Sequence, residues 1–260
     1  MVVGISATHK VLDASSLITF LTDWSSLARY KDPNFVLTPL AKLLPPSPTN
    51  ELPVPSPNTT AAGISREACV TNVYVFSPCG IPDLKRKVAS ESNIPKPSRV
   101  EVVTSVLWKF LAANSKKSSF SIEEGEESEK DVANMVVALR KGLLEFDNHY
   151  VKRLKGDKAI GTALELIRDA MSLLNRKDEG DLYHFSSWCG YSFYDVDFGW
   201  GTPIVFSSIE SKFKNMIFLT DTKDGGVEAW VTLSEEDMKM FEKNSSELLT
   251  YATLKASLPN

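Results

Sequence analysis

Cysteine and histidine are both scarce, with three of each in 260 residues. Cys69, Cys79 and Cys189 are an odd number at spacings that match neither a disulfide framework nor a zinc site, so a reducing, cytoplasmic setting and no metal are expected. Each cysteine reads as a small buried hydrophobe and none as a nucleophile. An excess of positive charge is missing as well. The 29 Lys and Arg against 33 Asp and Glu give a net charge of −4 with no basic stripe, so neither nucleic acid nor an anionic membrane is an expected partner. No apolar run approaches the roughly 20 residues that cross a bilayer. The N-terminus lacks the basic region and small-residue cleavage site of a secretory signal. What is present, 43% hydrophobic and 24% charged, is ordinary globular composition at a length that suits one large domain or two small ones.

The order of patterns along the chain is mixed. Val2 to Ser6 suits a short strand, and from Leu12 to Leu27 the apolar residues Leu12, Leu17, Ile18, Phe20, Leu21, Trp24 and Leu27 recur at helical spacing. Residues 33–57 hold eight of the fourteen prolines, which predicts a crossover or linker where neither a helix nor an inner strand persists. Beyond it, periodicity predicts a strand over Ala68 to Phe76 and helices over Gly80 to Glu91 and Pro97 to Asn114. A polar segment with an acidic run from Glu123 to Glu129 reads as a solvated loop, and Val132 to Arg140 as a buried strand. Two helical stretches follow, roughly Leu143 to Lys155 and Ile160 to Leu174. Strands over Val205 to Thr220 and Val227 to Leu233 flank a turn at Thr222 to Gly226, and Ser234 starts a closing helix with acidic residues in its first turn. Such alternation implies an α/β or α+β class with mixed sheets.

With only three histidines, each candidate for proton transfer at neutral pH can be weighed separately. His149 sits in a polar helical stretch and reads as a surface residue, and His184 precedes an apolar strand and reads as structural. His9 lies at a junction between strand and helix, where a loop can aim an imidazole into a cleft. Asp13, four residues on, is placed either to orient that imidazole or to satisfy helix amides, and the second role is the one expected of an aspartate at a helix start. The run Asp197-Phe198-Gly199-Trp200-Gly201 is more specific. Two glycines around a large ring imply tight backbone geometry, and an aspartate among aromatics requires a partner if buried; Arg140 is the expected one. Such a unit orders a wall rather than moving a proton.

Together, His9-Lys10-Val11-Leu12-Asp13 and Asp197-Phe198-Gly199-Trp200-Gly201 resemble the two signatures, HxxxD and DFGWG, of the plant BAHD acyltransferases. The resemblance extends to Ser98-Arg99-Val100-Glu101 and the helix through Trp108, to Val137-Ala138-Leu139-Arg140, to Ser186-Ser187-Trp188, and to Val227-Glu228-Ala229-Trp230. Around Ser187-Trp188-Cys189 and Phe193-Tyr194 it is greatest to the branch containing vinorine synthase and alcohol acetyltransferases. The resemblance implies a fold like that of chloramphenicol acetyltransferase, with two domains and a channel between them. It also implies transfer of an acyl group from coenzyme A to a hydroxyl or amine of a specialised metabolite, with acyl-CoA as co-substrate, no permanently bound cofactor, and a cytoplasmic monomer. By the same resemblance His9 is the general base, Asp13 orients, and Ser186 and Trp188 line the pocket or stabilise the tetrahedral intermediate. Ser98 contacts coenzyme A, and Asp197, Gly199, Trp200, Gly201 and Arg140 are structural.

Departures from the family pattern are as informative. HxxxD begins at residue 9, no F-G-N occurs anywhere, and Arg140-Lys141-Gly142 runs straight into Leu143-Leu144-Glu145 where the family has a further loop and strand. The expected organisation is therefore a remnant of the N-terminal domain over 1–32, a linker over 33–63, and a C-terminal acyltransferase domain over 64–260 with an internal deletion near 142–143. Uncovered helix faces and sheet edges would then favour self-association. Two readings follow: a shortened acyltransferase that still works, and an inert truncated or splice product that at most binds coenzyme A or a protein partner.

Overall fold

The computed structural model describes residues 1–9, 12–30, 68–114, 131–146, 150, 152, 161–162, 164–166, 168, 181–207 and 213–255. The chain divides into two compact units, one of residues 1–44 and 188–209, the other of residues 45–187 and 210–260. The predicted linker at 33–63, the acidic run at 123–129 and His149 lie outside the described residues.

The larger unit is built on a five-stranded mixed sheet. Its strands are β1 (Cys69–Phe76), β2 (His184–Ser187), β3 (Met216–Asp221), β4 (Val227–Ser234) and β5 (Thr253–Lys255), in the order β2-β3-β4-β1-β5. β4 is central and pairs antiparallel with β1 from Val227 opposite Phe76 to Ser234 opposite Cys69. β3 is antiparallel to β4, β5 is antiparallel to β1, and β2 runs parallel to β3 with His184 opposite Met216. Seven residues of β4, all but Trp230, are buried. A strand covered on both faces loses the alternation of an exposed one, which is why Val227-Glu228-Ala229-Trp230-Val231 reads as a run.

Helices accompany the sheet. Among the described residues they include α2 (Gly80–Glu91), α3 (Arg99–Asn114), α4 (Val132–Leu144) and α5 (Glu235–Asn244). Every residue from Glu101 to Leu107 is buried, so α3 is a central helix wrapped by α2, α4 and α5 rather than an amphipathic surface one. Val88, Val102, Val106, Leu107, Val136, Ile217, Val231 and Phe241 are fully buried and form the bulk of the core.

Several expectations are corrected. Val132 to Arg140 is the first part of helix α4, not a strand. Val132, Ala133, Met135 and Val136 are buried while Val137 is 41% exposed, a helical rather than an alternating pattern that a short apolar run does not reveal in advance. Val2 to Ser6 is exposed chain without regular structure, since a strand exists only where another strand takes its backbone hydrogen bonds. Of the strand expected over Val205 to Thr220, residues 205–207 carry no regular structure, residues 208–212 lie outside the described ones, and β3 spans Met216–Asp221; the helix expected from Pro97 begins at Arg99. Cys79 is exposed just ahead of α2, and Cys69 and Cys189 are half-buried, so none is the buried hydrophobe that cysteine statistics suggest. No helix of the described residues is long and apolar enough to cross a membrane.

Candidate active site

The HxxxD segment leads into α1 (Ala14–Tyr30), the helix of the smaller unit. Asp13 caps it: the Ser16 N–H donates to Asp13 Oδ1 at 2.7 Å, and the Asp13 carbonyl accepts from the Leu17 N–H at 2.9 Å. The Ser16 amide, above all, holds the Asp13 carboxyl below the usual carboxylate range, with a smaller contribution from the nearby His9. The carboxylate thus serves the helix amides, and no hydrogen bond joins it to the imidazole. His9 itself is exposed, in a turn.

One stripe of α1 is packed. Ile18 and Leu21 are buried with Phe193 and Val196, and Leu17, Trp188, Tyr191, Phe198 and Phe206 lie against them. Trp188, expected at the pocket, is part of this cluster: its ring stacks on Phe193 at 5.3 Å and tilts against Phe206 at 6.1 Å.

The DFGWG turn is organised by its own aspartate. Asp197 Oδ1 accepts from the Gly199 N–H at 2.8 Å and the Gly201 N–H at 3.0 Å. Both glycines have φ near +100°, at 104° and 103°, a region open to glycine and strained for other residues. Asp197 Oδ2 faces Arg29 Nη1 at 2.9 Å. These groups, the Gly199 amide first, hold its carboxyl below the ordinary range against a desolvation that opposes them. Arg140 is the partner that the sequence suggests for Asp197. Arg29, in the last turn of α1, takes the place, and no periodicity or spacing in the sequence distinguishes it from other surface arginines.

Sixteen residues of helix, roughly 24 Å at about 1.5 Å per residue, separate Asp13 from Arg29, while Phe198 of the turn also lies against the Ile18 and Leu21 cluster in the first half of α1. Trp24 meets Phe198 edge-on at 4.8 Å and Phe198 stacks on Trp200 at 5.4 Å, so the rings of the turn cover the far end of the helix.

In the larger unit, Arg140 binds Glu101 instead. Arg140 Nε donates to Glu101 Oε1 at 2.6 Å and Nη2 to Oε2 at 2.5 Å. Ser98 and Glu101 form a capping box at the start of α3, the Ser98 N–H donating to Glu101 Oε2 at 2.7 Å and the Glu101 N–H to Ser98 Oγ at 3.1 Å. Desolvation pushes the Glu101 carboxyl up, but the hydrogen bonds from Arg140 and Ser98 outweigh it and the net displacement is downward. Arg99 joins the same helix start to Asp221 at 2.8 Å. Ser-x-x-Glu was readable as a cap; the Glu101–Arg140 and Arg99–Asp221 pairs were not, because they join distant segments. Ser186 is exposed on β2, and His184 opens that strand with its N–H donated to the Asn215 carbonyl at 2.8 Å.

A family model described as "Transferase family" matches residues 1–149 and 129–248, two stretches that overlap around α4. BAHD acyltransferase BIA1 of Arabidopsis thaliana is 31% identical over 290 residues, an alignment longer than the chain, covering 97% of the chain and 66% of the relative. Vinorine synthase of Rauvolfia serpentina is 28% identical over 92% of the chain and 60% of its own length. The chain therefore spans less than two thirds of either relative. The crystal structure of vinorine synthase superposes with a TM-score of 0.64 at 23% identity, covering 92% of this chain and 60% of that one. The F. sporotrichioides TRI101 structure, complexed with coenzyme A and T-2, does so at 0.51 and 16% identity over 75% of this chain and 53% of that one. The family match takes in residues of both units, and the chain belongs to the Transferase family, as a member of the BAHD acyltransferases.

Proposed function

We propose that the chain is a coenzyme A-dependent acyltransferase that moves an acyl group from an acyl-CoA thioester to a hydroxyl or amine of a small plant metabolite. The observation that carries this reading is His9, an exposed imidazole four residues ahead of a helix-capping aspartate, in a chain matched by the family from residue 1 to 248. An imidazole accepts a proton near neutral pH without a large shift. As the acceptor oxygen or nitrogen attacks the thioester carbon, its proton passes to a His9 ring nitrogen and the carbonyl π pair moves onto oxygen. The tetrahedral intermediate then collapses, the C–S bond breaks, and the departing thiolate takes the proton back from the imidazolium. No acyl-enzyme bond forms. Asp13 caps α1, and its carboxylate charge favours the protonated form of the nearby His9 imidazole as it takes up the proton. Ser186, by its family position, supplies a donor to the developing oxyanion, and Ser98 a contact to coenzyme A.

The test is thiol release from acetyl-CoA in the presence of a panel of alcohols and amines. Time-dependent, acceptor-dependent release that vanishes in His9→Ala is the expected result. No release from a chain with a folded circular dichroism spectrum would defeat the reading.

A second reading, an inert truncated or splice product that at most binds coenzyme A or a protein, has two observations in its favour. Phe20, Trp24, Leu27, Tyr30 and Trp200 of the smaller unit are 42% to 66% exposed, an unusual aromatic surface for a working monomer. The 290-residue alignment also exceeds the length of the chain, so the relative carries sequence within the aligned region that this chain lacks. Genomic sequence between the codons for Gly142 and Leu143 that encodes the family's further strand would decide for this origin.

A further inference from the structure

We propose that Arg29 is a positioning residue: through Asp197 it clamps the DFGWG turn to the last turn of α1, and so holds in place the helix whose other end carries Asp13 and His9. The part of this claim that concerns turnover rests on the acyl-transfer reading above; the part that concerns the turn does not.

Three observations lead to it. The two carboxylate oxygens of Asp197 have separate work, Oδ1 accepting the two glycine amides that shape the turn and Oδ2 facing Arg29. Without Arg29 the turn keeps its internal bonds and loses its charged tie to the helix. Secondly, α1 is packed along one stripe only. Ile18 and Leu21 are buried, but Phe20, Trp24 and Leu27 are 42% to 46% exposed. A helix gripped along a narrow stripe of non-directional contacts has freedom to roll and slide, and a polar tie at one end removes it. Thirdly, the arginine stem runs close to the turn, since a Cβ placed on Gly199 would meet Arg29 Cγ at 4.0 Å. Arg29 thus lies along the glycine face of the turn while Trp24 meets Phe198 from the same helix. Roughly 24 Å of helix separates it from Asp13, so it touches no reacting atom and acts by placement alone.

The contact to Asp197 is through a single guanidinium nitrogen, Nη1 at 2.9 Å, and a lysine has a stem and a charge suited to the same role. The test uses the full chain labelled with 5-fluorotryptophan, whose five residues, Trp24, Trp108, Trp188, Trp200 and Trp230, give separate fluorine resonances assigned by single Trp→Phe replacements. Arg29→Met and Asp197→Asn should each move the Trp24 and Trp200 lines and leave those of Trp108 and Trp230, in the larger unit, in place. Asp197→Asn retains an oxygen for the glycine amides, so its agreement with Arg29→Met isolates the tie. Arg29→Lys should keep the native lines. Arg140→Lys, which perturbs the other arginine, should leave Trp24 and Trp200 unmoved.

Kinetically, Arg29→Met should lower kcat of thiol release roughly tenfold with KM for acyl-CoA unchanged, and Arg29→Lys should recover it. Unmoved Trp24 and Trp200 lines in Arg29→Met, or equal disruption in Arg29→Lys, would overturn the clamp. Moved lines with an unchanged kcat would overturn the positioning of His9 and leave acyl transfer standing. Moved lines in a chain whose wild type releases no thiol would uphold the clamp and remove the acyl-transfer reading. Should Arg29→Met unfold altogether, the contrast between Arg29→Lys and Asp197→Asn decides in the same way.

Discussion

Removing Arg140 should destabilise the larger unit more than neutralising its partner Glu101, although both changes break the same ion pair. The Glu101 side chain is 7% exposed and that of Arg140 32% exposed. In Arg140→Met the carboxylate stays inside with only the Ser98 amide left to it, and an uncompensated buried charge of this kind costs about 3–5 kcal/mol when fully enclosed. Partial access to water at the Arg140 side brings the expected loss to about 2–3 kcal/mol. In Glu101→Gln the arginine left behind can turn to solvent, and the amide still accepts from Ser98, so about 1–2 kcal/mol is expected. The pH dependence has a definite sign. Glu101 is held below its ordinary pKa in the native protein, so its contribution is present above the unfolded value, about 4.3, and is lost as pH falls through the lower folded value. Without Arg140, burial is the main influence left and the carboxyl moves up. The penalty in Arg140→Met should then shrink as the group protonates, and the two variants should converge below about pH 4. Urea unfolding followed by circular dichroism at pH 7 and pH 4 measures this directly. Equal losses for the two variants at pH 7, or a penalty for Arg140→Met that does not decrease in acid, would refute the reasoning.

Two glycines of the larger unit should respond to alanine in opposite directions. A Cβ on Gly226 would lie 2.5 Å from the Phe76 carbonyl oxygen and 3.2 Å from Pro78 Cδ, so Gly226→Ala should cost about 2 kcal/mol or more of unfolding free energy. A Cβ on Gly142, inside α4, would meet nothing within 4 Å, and Gly142→Ala should stabilise by about 0.5–1 kcal/mol in the same denaturant titration. Ser234 caps α5 by accepting from the Asp237 N–H, and Ser234→Ala should cost about 1 kcal/mol, read as a melting temperature lower by about 2–4 °C. Asp13 is held below its ordinary pKa by the cap it makes. Its stabilisation of α1 should therefore persist at neutral pH and disappear as pH falls below about 3.9, and Asp13→Asn should keep most of the cap while losing that acid transition in the circular dichroism of the chain.

Much of the local structure was legible before any coordinates. The spacing of Leu17, Ile18 and Leu21 fitted α1, Gly80 to Glu91 coincides with α2, and the Ser234 cap with three acidic residues after it marked the start of α5. Each of these signals is carried by residues within a turn or two of one another. Val132 to Arg140 was misread because nine apolar-rich residues suit a covered strand and a packed helix equally, and only the neighbours of α4 settle which side is buried.

The candidate site divides along the same line. The residue types and spacings of HxxxD and DFGWG, the glycines that a turn with φ near +100° requires, and the helix start at Asp13 belong to the sequence, because each depends on bonds among neighbours. Ionic partnership does not. Asp197 chose Arg29 and Arg140 chose Glu101, pairs separated by 168 and 39 positions, and a charge attracts every opposite charge without regard to its place in the chain. Which of them comes within 3 Å is set by how the helices pack, and that packing exists only once the chain has folded.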